Sequence, residues 1–289
     1  MQRYFLALLL FAFCVSQSHS AKPMMAKDDT LRMGCVAFAK EATSKAFRQI
    51  RSFLAKGLGR DIKLTLYPNY HEVIHDLAND NIDVAVLSPL VYLNARSTCA
   101  LNTLAYGIYR SSGGFTYKSV ILVPRESKAK KLTDLAGKKM AYVDIMSVSG
   151  YVLPKAALKK VGLSGKKKMT ASFHKNHVDA VFAVLRGKAD AVSTYDIIFK
   201  DSKKLANSRR KLRRLWTSNF VIPSDAFVTT KRVPFGLRKK LRTLLLSYFA
   251  AQDKKEADRN ELYEGFVPGD PNLYKDLQQF MTEVRAKRR

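Results

Sequence analysis

Cysteine is scarce in this sequence: three occur in 289 residues, at positions 14, 35 and 99, and no two lie close together. The lack of a CxxC or other close pair rules out a redox centre or a cysteine-ligated metal site of that kind. Acidic residues are also few, 24 against 51 Lys and Arg, which leaves a formal net charge of +27. Beyond residue 15 no apolar run is long enough to cross a bilayer as a helix. What remains is 47% hydrophobic and 10% aromatic, enough to bury a core as one large domain or two smaller lobes. The positive charge gathers in runs such as KAKK (128–131), KKK (166–168), RRKLRR (209–214) and RKKLR (238–242). Such a field suits polyanions, anionic surfaces or small anions, and each run taken singly also reads as a solvated face.

The first twenty residues read as a signal peptide. Gln2 and Arg3 precede an apolar stretch, Tyr4 to Val15, and Ser-Gln-Ser-His-Ser-Ala follows, with cleavage expected near Ser20. Phe13 directly before Cys14 spoils the small-residue context of a lipoprotein anchor. An exported, soluble protein is expected, and export argues against nucleic acid as the partner of the basic runs. Cys35 and Cys99 remain after cleavage; an oxidising compartment permits a disulfide, which sequence alone neither requires nor excludes.

Strand and helix patterns alternate along the chain. Leu31–Phe38 and Ile62–Leu66 read as strands around a helix at Glu41–Leu58, whose apolar residues include Phe47, Ile50, Phe53 and Leu54. Further strands are expected at Ile82–Leu87, Leu101–Ile108, Ser119–Val123, Lys139–Val143 and Ala189–Ser193. Helices are expected around His71–Asn79, Gly150–Val161, Val178–Arg186 and from Pro234 to Ala250, two of them closed by Gly162 and Gly187. Such alternation predicts an α/β fold built on mostly parallel sheets. HDLANDNIDVAVLSP (75–89) and FAVLRGKADAVSTYD (182–196) share one plan: helix end, tight turn, Asp, buried strand, polar loop. That echo fits two similar halves with their polar loops facing one cleft, beyond the carboxyl ends of the strands.

HEVIH (71–75) matches the H-E-x-x-H pattern of zinc proteases, in which His71 and His75 bind metal and Glu72 acts as base. No third ligand follows at the required spacing, where Ala78 and Asn81 stand, and the next glutamate is Glu126. A zinc hydrolase is therefore the weakest reading, and no metal or cofactor is expected. AYVDIMSVSGYVLP (141–154) is more informative. A strand stops at Ser147, Ser149 and Gly150, where a helix begins. First-turn amides are unpaired and sit at the positive end of the helix dipole; serines add neutral donors, and glycine lets a ligand approach. The stretch reads as a receptor for a small oxyanion or as ordinary capping by Ser147 or Ser149.

Taken in order, IDVAVLSPLVY (82–92), GFTYKSVILVPRES (114–127), LTDLAGKKMAYVD (132–144), SVSGYVLP (147–154), NHVDAVFAVLRGKADAV (176–192), VIPSDAFV (221–228) and ELYEGFVPGDPNLYKDL (261–277) resemble the phosphate/phosphite/phosphonate-binding periplasmic proteins of ABC transporters. The resemblance spans nearly everything after the signal segment. It implies a two-lobed type II periplasmic-binding-protein fold, each lobe a mostly parallel sheet with flanking helices. Lobe one would comprise about 21–118 and 224–289, lobe two 119–223, with two crossover segments as the hinge. By the family pattern Ser147, Val148, Ser149, Gly150 and His177 meet the anion, and Tyr70 and Tyr117 flank it. Val148 replaces a hydroxyl residue common in the family. Ser88 and Tyr92 are lesser candidates. Asp196 and Asp225 stand where aminoalkylphosphonate binders hold the ligand's ammonium. The implied protein is a periplasmic, monomeric, non-enzymatic carrier that hands its ligand to an inner-membrane ABC permease. A soluble sensor of the same fold is the alternative.

Overall fold

The computed structural model describes residues 30–36, 41–163, 168–255 and 260–286. The expected signal peptide and its cleavage point at Ser20 lie outside those residues. Strand β1 (Leu31–Val36) buries Leu31, Met33 and Cys35. Helix α1 (Glu41–Leu58) packs against it through Phe47, Ile50 and Leu54, whose spacing of three and four places them on one face. Next come β2 (Ile62–Tyr67), α2 (Tyr70–Ala78), β3 (Val84–Leu87), α3 (Pro89–Thr98) and β4 (Leu101–Tyr109). The chain then enters a second sheet with β5 (Thr116–Pro124) and β6 (Lys139–Tyr142). A widened turn, Val148–Val152, leads into α4 (Leu153–Lys160). The sheet is completed by β7 (Thr170–Phe173), α5 (His177–Leu185), β8 (Ala191–Tyr195), the short α6 (Ile198–Asp201) and the long β9 (Leu212–Pro223). The chain returns with β10 (Ala226–Thr230), α7 (Phe235–Ser247), β11 (Tyr263–Pro268) and α8 (Lys275–Ala286).

The first sheet runs β11-β4-β10-β3-β1-β2 and the second β7-β6-β8-β5-β9. Parallel pairing joins β2, β1 and β3 in one sheet and β7, β6 and β8 in the other, all of them expected strands except β7. Strands next to the crossings pair antiparallel, so both sheets are mixed. The two crossings lie side by side: Thr116 pairs with Pro223, the Ser224 amide donates to the Phe115 carbonyl at 2.8 Å, and Ser224 Oγ donates to the Gly107 carbonyl at 2.6 Å.

The sequence echo has a structural basis. Asp83 and Asp190 each precede a central parallel strand, and each carboxylate accepts an amide from the start of the neighbouring strand, Arg32 at 3.0 Å and Lys139 at 2.8 Å. Asn69 and Asn176 cap α2 and α5 in the same way, accepting the amides of Glu72 and Asp179. Asp80 and Gly187, with φ of 53° and 68°, make the turn between helix and strand in each half. Each pair is separated by 107 residues. One plan is used twice.

Several elements escape the sequence reading: β7, β9, β10, β11, α3 and α8. Pro234 caps α7 from outside instead of occupying its first position. Cys35 and Cys99 are both free thiols. On α2, Glu72 serves its own cap, its Oε1 accepting from Asn69 Nδ2 at 2.6 Å, while His71 and His75 are exposed.

Candidate functional site

The turn after β6 owes its shape to one proline. In a regular helix the amide of residue 154 would bond the Gly150 carbonyl, but Pro154 has no N–H. The turn widens instead: the Leu153 amide reaches back five residues to the Val148 carbonyl. The displaced carbonyls find partners on the second sheet. Ser193 Oγ donates to Gly150 O at 2.6 Å, joined by the Val143 amide at 3.2 Å, and Ser119 Oγ donates to Ser149 O at 2.8 Å. Both supporting serines are fully buried. Ser147 Oγ accepts the Gly150 amide at 2.9 Å, which leaves its O–H as a donor. Helix geometry leaves the Val148 and Ser149 amides without intrahelical carbonyls.

Beside this turn stands His177, the first residue of α5. Its Nδ1 lies 2.9 Å from Thr194 Oγ1, and its ring meets Tyr195 edge-on at 4.7 Å. The opposite side comes from the first sheet, through Tyr70 and Ser88, and from the crossings between the sheets, through Tyr117 and Asp225. Tyr70 opens α2 and is buried, which drives its hydroxyl pKa up, with Ser88 as a partial offset. Ser88 follows β3; its Oγ is buried and has no partner at hydrogen-bond geometry, although Tyr70 is near enough to feel it. Tyr117, at the start of β5, packs edge-on to Tyr109 and Tyr195. Burial raises its pKa, the Asp225 charge adds to that, and Ser149 opposes it. Asp225 sits at the return crossing and accepts from Tyr263 Oη at 2.7 Å, while Tyr109 stacks on Tyr263. Burial first, and then the Asp225 charge, hold the Tyr109 and Tyr263 hydroxyls protonated.

These groups enclose a cavity of about 180 Å³ between the two sheets. Tyr70, Ser88, Tyr117, Ser147, Val148, Ser149, His177 and Asp225 line it, so the structure brings together eight of the residues singled out from sequence. Three others lie elsewhere. Gly150 is under the turn, where a Cβ would come within 2.5 Å of Val143 Cγ2, so its smallness serves packing and not ligand approach. Tyr92 is buried against Tyr274, with its hydroxyl 2.7 Å from Thr103 Oγ1. The Asp196 carboxylate accepts the Lys118 amide at 3.1 Å and does not line this cavity. Tyr109, Asn176 and Tyr195 line it without having been anticipated. Ser119 and Ser193 also escaped notice; a serine inside an otherwise apolar strand was their only signal.

The model of the family "ABC transporter, phosphonate, periplasmic substrate-binding protein" matches residues 34–274. The chain belongs to this family. A relative in Mycolicibacterium smegmatis, the phosphate-import protein PhnD, is 26% identical over 255 residues, covering 84% of this chain and 77% of that protein. Solved structures share the fold at lower identity. PhnD1 from Prochlorococcus marinus in complex with methylphosphonate superposes with a TM-score of 0.72 at 19% identity, covering 90% of this chain and 99% of that one. A Xanthomonas citri protein bound to ATP gives 0.74 at 16% identity, covering 89% and 98%. In this member of the phosphonate-binding family, the matched region takes in every residue lining the cavity. No helix among the described residues is long and apolar enough to cross a membrane.

Proposed function

We propose that the protein is the periplasmic solute-binding component of an ABC importer and captures a small tetrahedral phosphonate, phosphite or phosphate in this cavity. The observation that carries the reading is the meeting of donors across 180 Å³: hydroxyls and amides at 147–149 with His177 on one side, Tyr70 and Ser88 on the other, and Tyr117 at the crossing between them. Serine and tyrosine donors hold an anion without charge neutralisation, and the buried Ser88 hydroxyl gains the partner it lacks. The space is smaller than the roughly 300–1,000 Å³ typical of drug-sized ligands, which favours a compact anion. The relatives' phosphate import and methylphosphonate complex agree in class.

Asp225 in the same space favours a ligand that also carries a proton donor, such as an aminoalkylphosphonate. Asp196 faces elsewhere, so one carboxylate and not two would receive it. The two sheets form the cores of lobes divided near residues 118 and 223, which close on the ligand because it touches both. The mature chain begins after Ser20, acts as a monomer without catalysis or cofactor, and passes the closed form to an inner-membrane permease.

Calorimetry and thermal melts with methylphosphonate, phosphite, phosphate and 2-aminoethylphosphonate test this. At a hundredfold excess over Kd the right ligand stabilises the fold by about 2.7 kcal/mol. Ser149→Ala is expected to weaken binding by about tenfold or more. Absence of any shift at millimolar concentration of all four would exclude the assignment.

A further inference from the structure

The positive charge is not spread evenly. Residues 119–223 hold 23 of the 51 Lys and Arg but only 7 of the 24 Asp and Glu. Part of that excess converges on a second cavity of about 600 Å³, beside the second sheet. Arg125, Lys200, Arg209, Arg210, Arg213 and Arg214 line it, against one carboxylate, Asp196. That carboxylate is already engaged by the Lys118 amide. Several guanidiniums are held by main-chain carbonyls instead of acids. Arg125 Nε donates to Arg210 O at 2.6 Å, Arg213 to Ser127 O at 2.7 Å, and Arg214 to Asp196 O at 3.3 Å. A guanidinium has five N–H donors, so such anchoring orients the group while leaving charge and donors for a ligand. The floor is apolar, with Leu122, Phe199 and Leu212 among its walls. Six cations around one apolar hollow repel one another unless a counter-anion joins them.

We propose that this cavity is a second anion site, separate from the first, for a molecule that joins phosphate-type negative charge to an apolar body. Its size falls in the range of ordinary ligand pockets, roughly 300–1,000 Å³. Arginine is the side chain whose planar fork matches phosphate oxygens in pairs. A soluble nucleoside polyphosphate and an anionic phospholipid headgroup share this chemistry. The proposal does not depend on what fills the first cavity, because only Tyr195 and Ile197 belong to both linings.

The test uses the whole mature chain in about 150 mM NaCl, where diffuse surface attraction is screened. ATP is titrated by calorimetry with and without methylphosphonate, and vesicles of phosphatidylglycerol or phosphatidylcholine are sedimented with the protein. The expected result is one ATP per chain, or binding to phosphatidylglycerol alone; the first assigns a soluble ligand and the second a lipid headgroup. Arg209→Ala combined with Arg210→Ala should weaken whichever is seen by about tenfold or more while methylphosphonate behaves as in the wild type. Arg209→Gln alone serves if the double variant does not fold. Three results overturn the proposal: no binding in either arm, several loosely held anions insensitive to these substitutions, or ATP that displaces methylphosphonate.

Discussion

Asp83 has no exposed surface, and its carboxylate is matched by partners on both oxygens. The Arg32 guanidinium spans both carboxylate oxygens at 2.8 and 2.7 Å, the Arg32 amide adds a third bond, and Arg232 approaches to 3.5 Å. Tyr67 and Asp76 form a smaller bonded pair, in which the carboxylate is the partner that responds. Tyr67 Oη donates to Asp76 Oδ2 at 2.6 Å, and this bond is the main cause that holds the Asp76 carboxylate below its usual pKa. A carboxylate whose folded pKa is depressed contributes stability that is complete above its unfolded pKa, about 3.9, and is lost as pH falls through the folded value. Tyr67→Phe is therefore expected to cost about 1 kcal/mol near neutral pH. The difference from wild type should vanish once the carboxylate is protonated in both states. Urea titrations at several pH values check this, and a cost independent of pH would show that packing, not the charged bond, is responsible.

At the level of elements, the widened turn at Val148–Val152 depends on three residues far apart in sequence. Pro154 removes a donor, and Ser119 and Ser193 satisfy the carbonyls that the widening releases. A strand–serine–glycine–helix junction was legible in the sequence, and so was the run of hydroxyls. Why position 150 must be glycine was not legible, because the reason is the Val143 side chain approaching from the preceding loop. Gly150→Ala would force that contact apart and is expected to destabilise the protein by about 1–3 kcal/mol. It should also weaken anion binding by displacing the amides next to it. A variant as stable as wild type in thermal melts would show that Val143 moves aside freely. Strand β9 was missed for a related reason. Its opening residues are LRRLW after a basic run, and as an edge strand it carries charge that discourages pairing with other chains.

For the molecule as a whole, a net charge of +27 on 289 residues means that the folded state compresses like charges. Raising NaCl from about 20 to 200 mM shortens the screening length from tens of ångströms to under ten, so the melting temperature is expected to rise. A melting temperature flat across that range would mean that the basic faces are spaced too widely to repel. The same charge lies mostly away from the first cavity, whose lining donors are neutral hydroxyls, amides and His177. Recognition there works at short range through donor geometry, whereas the basic half acts over longer distances.

The α/β class, the repeated plan 107 residues apart and the hydroxyl-rich junction at 147–150 could be read along the chain, because each rests on local periodicity, capping or turn chemistry. Only the folded structure decided which candidates share a cavity. Asp196 and Asp225 look alike in sequence, yet one carboxylate caps a main-chain amide and the other enters the site with Tyr263. That difference follows from strand pairings such as Thr116 with Pro223, 107 residues distant. No local rule can state such a pairing, since it is set by how two sheets bury their faces together.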